Sequence, residues 1–170
     1  MSMDRTPDDR PARDTSHREI LLVEDNPDDI ELTRIAFGEA KIANELTVVH
    51  DGAEALDYLF ARGAYADRDP HQLPSIVLLD LNLPKVDGRE VLQAIRDNPA
   101  TRSLPVVVMT TSAEPFDVEA SYALGVNSYI QKPVDFEQFR ETVKQVGMYW
   151  MVMNQQARGG SLAEKAAQAQ

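Results

Sequence analysis

The sequence predicts a doubly wound α/β domain, with five parallel strands and helices on both faces of the sheet. Between Arg18 and about Asn154, short apolar runs alternate with longer amphipathic stretches, as in strands joined by crossover helices. The first four runs are apolar without alternation, which indicates a sheet covered on both faces. We expect strands near residues 19–24, 46–50, 75–80, 105–109 and 127–131.

The predicted helices occupy the stretches between these runs. The first should begin at Asn26-Pro27, since proline suits the first turn of a helix. Asp28 and Asp29 are favourable beside the positive end of that helix dipole, so we interpret them as helix-terminus residues. Further helices are expected near 52–60, 88–97, 115–124 and 135 to about 154.

Three segments lie outside this regular pattern. Residues 1–17 mix charge and proline without an apolar stretch, which predicts a disordered tail rather than a signal peptide. Residues 155–170 are rich in Ala and Gln and predict a second flexible tail. The connection 61–74 is longer than usual, and its sequence fits a functional loop or a plain exposed insertion equally well. The expected domain therefore spans 18–154.

Composition excludes several kinds of function. A chain of 170 residues has room for one domain with a sizeable core. Its net charge of −11 argues against nucleic acid or an anionic membrane as partner, because both are bound through basic surfaces. No apolar run is long enough to span a membrane, and we expect a cytoplasmic protein. The chain has no cysteine, which excludes a thiol nucleophile and a Cys-based zinc site.

Polar side chains stand where the predicted strands end. Glu24 and Asp25 follow the first strand, Asp80 follows the third, Thr110 the fourth and Lys132 the fifth. Because an open α/β sheet binds ligands outside the carboxyl ends of its strands, these groups should meet in one pocket. Carboxylates held close together repel unless a cation lies among them, so the pattern predicts a divalent metal.

The metal expected here is Mg²⁺, which prefers oxygen ligands in octahedral geometry and keeps several waters. Asp25 and Asp80 could bind it directly and Glu24 through water. A backbone carbonyl near Asn82 could complete the coordination.

A phosphoryl group accepted by Asp80 would give each neighbouring side chain a role. The carboxylate would act as nucleophile and form an acyl phosphate. Lys132 would supply a positive charge for one phosphoryl oxygen, and the Thr110 hydroxyl would donate a hydrogen bond to another. Transfer would then depend on positioning and electrostatics.

These residues, in this order, resemble the receiver domain of two-component response regulators. The resemblance covers most of 18–147, and the segments that carry it are LLVEDNPDD, LLDLNLPKVDG, PVVVMTTS and SYIQKP. It implies a flavodoxin-like strand order of 2-1-3-4-5. It also implies that Asp80 accepts phosphate from the phosphohistidine of a histidine kinase, with Glu24 and Asp25 in the acidic metal pocket.

Further roles are implied by the same resemblance. Thr110 and Tyr129 would couple phosphorylation to a change of shape, and a cis peptide bond would precede Pro133. Thr111 stands where a small residue is frequent, so access to Asp80 is expected to be narrower. Glu24 replaces a more common aspartate.

A narrower resemblance concerns single-domain regulators partnered with bacterial phytochromes. It is carried by the long 61–74 loop, the HDGAEALDYL segment and the apolar last helix. It implies a phytochrome-type light sensor as kinase. The output would be contact with another protein, which the sequence does not identify, or a change in dimerisation.

The last helix carries more apolar surface than one sheet face needs. One stripe recurs at steps of three and four, and a second apolar face adds Met148, Tyr149, Met151 and Val152. We interpret the surplus as a homodimer contact, the alternative being that it folds back over the domain's own edge. The candidate contacts are Phe139, Val146, Tyr149, Trp150 and Met153.

Two other functions compete with a phosphoacceptor that is not an enzyme. A phosphatase of haloacid-dehalogenase-like type would carry a second aspartate two residues after its nucleophile, where this chain has Asn82. A binding module with a vestigial pocket would have lost at least one of the five polar groups, and all five are present.

Overall fold

The structure is a computed structural model that describes residues 19–42, 44–112 and 114–153. The predicted tails 1–17 and 155–170 lie outside the described residues, so they stay predictions. The strands are β1 (Ile20–Val23), β2 (Leu46–Val49), β3 (Ile76–Leu79), β4 (Val106–Thr110) and β5 (Ser128–Gln131). The helices are α1 (Pro27–Glu39), α2 (Gly52–Leu59), α3 (Gly88–Asp97), α4 (Pro115–Ala123) and α5 (Phe136–Met148).

The five strands form one parallel sheet in the order β2-β1-β3-β4-β5. Val23, at the end of β1, is in register with Val49 of β2 and Leu79 of β3. Thr110 is in register with Gln131 at the end of β5. The carboxyl ends of the central strands therefore lie side by side, which confirms the predicted fold and places the residues that follow them at one edge.

Successive strand residues face two separate cores. Leu21, Leu79 and Val108 pack with the apolar faces of α2 and α3. Leu22 and Leu78, on the opposite face, pack with α1 and α5. Both faces are buried, which explains why the runs carry no alternation of polar and apolar residues.

Side-chain caps fix the starts of the helices. The Asn26 Oδ1 atom accepts hydrogen bonds from the backbone N–H groups of Asp28, at 2.9 Å, and Asp29, at 3.3 Å. Asp51, Asp87 and Asp135 cap α2, α3 and α5 in the same way. These caps satisfy N–H groups that a helix leaves free at its first turn, so α1 begins where the sequence predicts.

The 61–74 connection folds back over α2. It includes a 3₁₀ turn at Gly63–Tyr65, and the Tyr65 hydroxyl donates to the Glu54 carboxylate at 2.7 Å. The Arg68 guanidinium lies over the Tyr58 ring, 3.6 Å from its centroid, and donates to the Tyr58 carbonyl. The loop is thus fastened to the domain by specific polar contacts.

The end of α5 differs from the single helix predicted over 135 to about 154. A π-helical turn, Tyr149–Met153, follows Met148, and the added residue per turn rotates the later side chains. Within this turn Met151 is buried, while Tyr149 is 51% exposed. Trp150 is half-buried against the core formed with α1.

Two of the predicted dimer contacts are wrong. Phe139 and Val146 are buried in the chain's own core, because α5 turns that stripe toward the sheet and α1. Tyr149 and Trp150 stay predictions. The Met153 side chain lies outside the described part of the structure. No described helix is both long and apolar enough to cross a bilayer.

Candidate functional site

Three carboxylates meet at the carboxyl edge of the sheet. Glu24 and Asp25 follow β1, and Asp80 follows β3. One oxygen from each of these side chains lies within 4.8 Å of the other two. Glu24 and Asp80 are buried and Asp25 is exposed, so the cluster opens to solvent on one side. The sequence predicts this grouping, and the parallel register of the strands brings it about.

Lys132 inserts its ammonium group among acidic side chains. Its Nζ atom lies 2.5 Å from Glu24 Oε2, 2.9 Å from Asp29 Oδ2 and 3.0 Å from Asp80 Oδ2, and its side chain is 6% exposed. Burial alone would lower the pKa of Lys132, but attraction to Glu24 and hydrogen bonds to Asp29 and Glu24 outweigh it. The lysine pKa is therefore raised, and the group is an ammonium ion at neutral pH.

Asp80 is held from two sides. Its Oδ1 atom accepts a hydrogen bond from the Asn82 backbone N–H at 3.0 Å, and its Oδ2 atom accepts from Lys132. The Asn82 side-chain amide donates to the Thr110 hydroxyl oxygen at 3.3 Å. Asn82 thus connects Asp80 with Thr110, and all five predicted groups lie around one site.

Glu24 is the most constrained of the acids. It is 4% exposed, and its Oε1 atom accepts a hydrogen bond from the Asn26 N–H at 3.1 Å. Burial raises the pKa of Glu24 to about 7, against the opposing attraction of Lys132. The fold therefore favours the neutral form of this carboxyl group more than water does.

The three carboxylates fit a divalent cation. Oxygen ligands converge on one point, and one of them is buried where its own charge is costly. A bound cation would favour the charged form of Glu24 and offset repulsion between the carboxylates. Hard oxygen ligands of this kind suit Mg²⁺ and Mn²⁺.

Tyr129 is tied to the loop after β4. Its hydroxyl donates to the Ser112 carbonyl at 2.8 Å, and burial raises the pKa of the phenol. The Ser112 hydroxyl donates to Asp117 at 2.6 Å, and Asp117 also accepts from Arg89 Nε at 3.0 Å. Tyr129 therefore belongs to a polar chain that runs from β5 to α3.

The predicted cis bond before Pro133 is wrong. No peptide bond within the described ranges is cis. The trans form is the intrinsically favoured isomer of a bond to proline. Lys132 reaches its three carboxylates with the bond in this form.

Sequence reasoning missed two sets of contacts. The sequence predicts Asp29 only as a helix-terminus residue, and the structure adds its ion pair with Lys132. The one available signal is its position in the first turn of the helix beside the site, and Asp28 shares that position. The Arg89, Ser112 and Asp117 contacts were also missed, because they join segments far apart in the chain.

Comparison with known proteins gives consistent matches. The family model described as response regulator receiver domain matches residues 20–144. Response regulator Rcp1 of Synechocystis is 42% identical over 132 residues, covering 78% of this chain and 88% of Rcp1. A solved structure of Rcp1 in its Mn²⁺-bound form matches with a TM-score of 0.78 and 38% identity, covering 83% of this chain and 99% of that one.

Two further solved structures are similar. The phosphorylated cyanobacterial phytochrome response regulator RcpA matches with a TM-score of 0.76 and 42% identity, covering 82% of this chain and 97% of that one. The bacteriophytochrome response regulator RtBRR matches with a TM-score of 0.67 and 46% identity, covering 90% of this chain and 92% of that one.

Proposed function

Because the chain belongs to the response regulator receiver domain family, we propose that Asp80 accepts a phosphoryl group from the phosphohistidine of a sensor histidine kinase. The observation that carries the assignment is the Asp80 carboxylate itself, held between Lys132 and two further acids at the end of β3. The phytochrome regulators RcpA and RtBRR support a phytochrome-type light sensor as the kinase. We also propose that the protein acts in the cytoplasm.

The proposed step is a single displacement at phosphorus. An Asp80 oxygen forms the new bond to phosphorus while the bond from phosphorus to the histidine nitrogen breaks. The electron pair of that bond stays on the nitrogen, which is protonated from solvent. The product is a mixed anhydride on Asp80, whose phosphoryl group carries about two negative charges where the free carboxylate carried one.

Lys132 and Thr110 are the proposed partners of the incoming phosphoryl oxygens. The Lys132 ammonium already lies 3.0 Å from Asp80 Oδ2, so a small movement would bring it to a phosphoryl oxygen. The buried Thr110 hydroxyl is joined to the site through Asn82 and would donate a second hydrogen bond. Positioned donors of this kind stabilise the charge of the transition state.

Glu24, Asp25 and Asp80 are the proposed holders of Mg²⁺, with the Asn82 backbone carbonyl as a further ligand. A divalent cation bound there would offset the charge of the phosphoryl group. The Mn²⁺-bound form of Rcp1 supports the binding of a divalent ion. Ionisation of Glu24 would strengthen the attraction for the cation, so binding of the cation and loss of this proton would favour each other.

The output we propose is a change in protein contacts. Movement of Thr110 toward the phosphoryl group would disturb the loop after β4, which holds the Tyr129 hydroxyl through Ser112. Tyr129 would then turn inward and alter the surface read by an unidentified downstream protein. We further propose a homodimer in which Tyr149 and Trp150 supply the contact.

Phosphotransfer is the direct test. The protein should take up label from a phosphorylated sensor kinase in the presence of Mg²⁺, and Asp80→Asn should take up none. Asp28→Asn is the matched control, since it removes an exposed carboxylate beside the same site. Label that persists in Asp80→Asn refutes the assignment of the phosphoacceptor.

The rival phosphatase activity and the dimer have separate checks. A phosphatase of haloacid-dehalogenase-like type would release phosphate from small phosphate esters over many turnovers, and we expect no such release because Asn82 replaces its second aspartate.

Light scattering on Tyr149→Ala and Trp150→Ala should show a reduced mass. An unchanged dimer in both variants removes this part of the proposal.

A further inference from the structure

We propose that Asp29 is a positioning residue for phosphotransfer, which keeps the Lys132 ammonium beside the phosphoacceptor while Glu24 and Asp80 are engaged elsewhere. The inference rests on the proposed function of Asp80 and extends it to a residue outside the acidic cluster. Asp29 touches neither the incoming group nor the cation in this scheme and acts through Lys132 alone.

All donors of the Lys132 ammonium are in use. An ammonium group has three N–H bonds, and the Nζ atom has three carboxylate neighbours, Glu24, Asp29 and Asp80, at 2.5, 2.9 and 3.0 Å. A phosphoryl oxygen can therefore gain a hydrogen bond from Lys132 only when one of these contacts is released.

Asp29 differs from the other two acids in its position. Glu24 and Asp80 belong to the group of carboxylates that could hold a cation, and Asp29 lies outside that group. Its backbone is fixed at the start of α1, where its N–H donates to Asn26 and its carbonyl accepts from the Thr33 hydroxyl at 2.7 Å. The side chain is 21% exposed, so its contact with Lys132 is partly shielded from water.

Phosphorylation would release the Asp80 contact first. Once Asp80 forms the anhydride, its carboxylate loses its negative charge and becomes a much weaker acceptor for Lys132. A cation would compete for Glu24 in the same state, because it attracts that carboxylate. The ion pair with Asp29 is the contact that persists, and it leaves the freed N–H pointing into the site.

The test uses a small phosphodonor, so that docking of a kinase on α1 does not enter the result. Acetyl phosphate is mixed with the full chain at saturating Mg²⁺, and phosphate uptake is followed by intact-protein mass spectrometry. We expect Asp29→Ala to slow uptake about tenfold, which is part of the roughly hundredfold loss that a 1 Å misplacement of a catalytic group can cause. Asp29→Asn keeps the size and loses the charge, so it should also slow uptake and serves if the alanine variant does not fold.

The matched control is Asp28→Ala, because Asp28 is an exposed acid in the same helical turn. Its rate should stay within about twofold of the parent, as expected for a screened surface charge. Equal rates for the Asp28 and Asp29 variants would overturn the inference.

Two further readouts separate positioning from a general structural effect. The Mg²⁺ affinity of Asp29→Ala should match the parent, because Asp29 is not among the proposed ligands. In a Lys132→Ala background, the Asp29 substitution should cause no additional loss of rate, since the two residues act as one unit. An equal loss in both backgrounds, or a weakening of Mg²⁺ affinity that accounts for the slower rate, would overturn the inference.

If the proposed function of Asp80 is wrong, the same phosphorylation assay gives a different pattern of results. In that case the parent takes up no phosphate, or Asp80→Asn takes up as much as the parent does. If the parent is phosphorylated on Asp80 and the Asp29 variants behave as the parent, the proposed function stands and only the role of Asp29 is wrong.

Discussion

Replacing Glu24 by glutamine should make the metal-free protein more stable at alkaline pH. The folded-state pKa of Glu24 is raised from 4.5 to about 7, mainly by burial, so the fold favours the neutral carboxyl group. A raised pKa means that the contribution of Glu24 to stability is fully present below pH 4.5 and is lost as pH rises through about 7. Glutamine resembles the neutral form at every pH.

The size of the effect follows from the shift in pKa. A pKa difference of one between the folded and unfolded states is worth about 1.4 kcal/mol. The rise of the Glu24 pKa from 4.5 to about 7 therefore corresponds to roughly 3 kcal/mol of unfolding free energy at pH 8. At pH 5 the unfolding free energy of Glu24→Gln should exceed that of the parent by less than about 1 kcal/mol, because Glu24 of the folded parent is then already protonated. With a urea slope of about 2 kcal/mol per molar, the midpoint at pH 8 should rise by about 1.5 M.

Urea unfolding of Glu24→Gln and the parent, at both pH values with a chelator present, measures this difference. Glu31→Gln, an exposed position on α1, is the control for general loss of negative charge. Saturating Mg²⁺ should abolish or reverse the advantage, because the cation favours the ionised parent. A glutamine variant that is no more stable than the parent at pH 8 refutes the reasoning.

Four further predictions follow from other contacts. Mg²⁺ affinity of the parent should rise between pH 6 and pH 8, because a proton on Glu24 competes with the cation; a calorimetric affinity that is constant over this range contradicts it. Arg96→Met should lower the unfolding free energy by about 3 kcal/mol in urea titrations, since the guanidinium donates to four backbone carbonyls; a loss below about 1 kcal/mol would show that water replaces these bonds. Gly147→Ala should destabilise by about 1–3 kcal/mol, because the added carbon would lie 2.6 Å from the Phe37 ring; an unchanged urea midpoint would mean that α1 and α5 separate freely. Thr111→Ala should speed loss of phosphate from Asp80 by removing an exposed side chain at the mouth of the site, and an unchanged half-life in a phosphate-release assay argues against it.

The fold was predictable because its signals are local. Each buried strand is an unbroken apolar run, and residues such as Asn26 and Asp51 mark helix starts through their own backbone contacts. The site was predictable for a related reason. Parallel strands end at one edge, so the order of Glu24, Asp80 and Lys132 along the chain already implies their proximity.

What could not be predicted depends on distances set by tertiary packing. Nothing local distinguishes Asp29, which contacts Lys132, from Asp28 one residue before it. The apolar pattern of the last helix likewise does not predict the π-helical turn, within which Met151 of the second apolar face is buried. Periodicity identifies apolar faces, but it does not determine which of two faces meets the core.

Helix α4 is attached to the domain mainly through polar contacts, so it can shift more easily than the other helices. The two buried residues of this helix, Asp117 and Ser121, are polar, and its large apolar residues Phe116 and Tyr122 are exposed. Asp117 is held by directional bonds to Arg89 and Ser112, which lose their strength over a small displacement. Little apolar surface would enter water if α4 shifted, so its amide hydrogens should exchange with solvent sooner than those of α1 and α5. The domain thus combines a rigid frame with one element that can relocate at low cost.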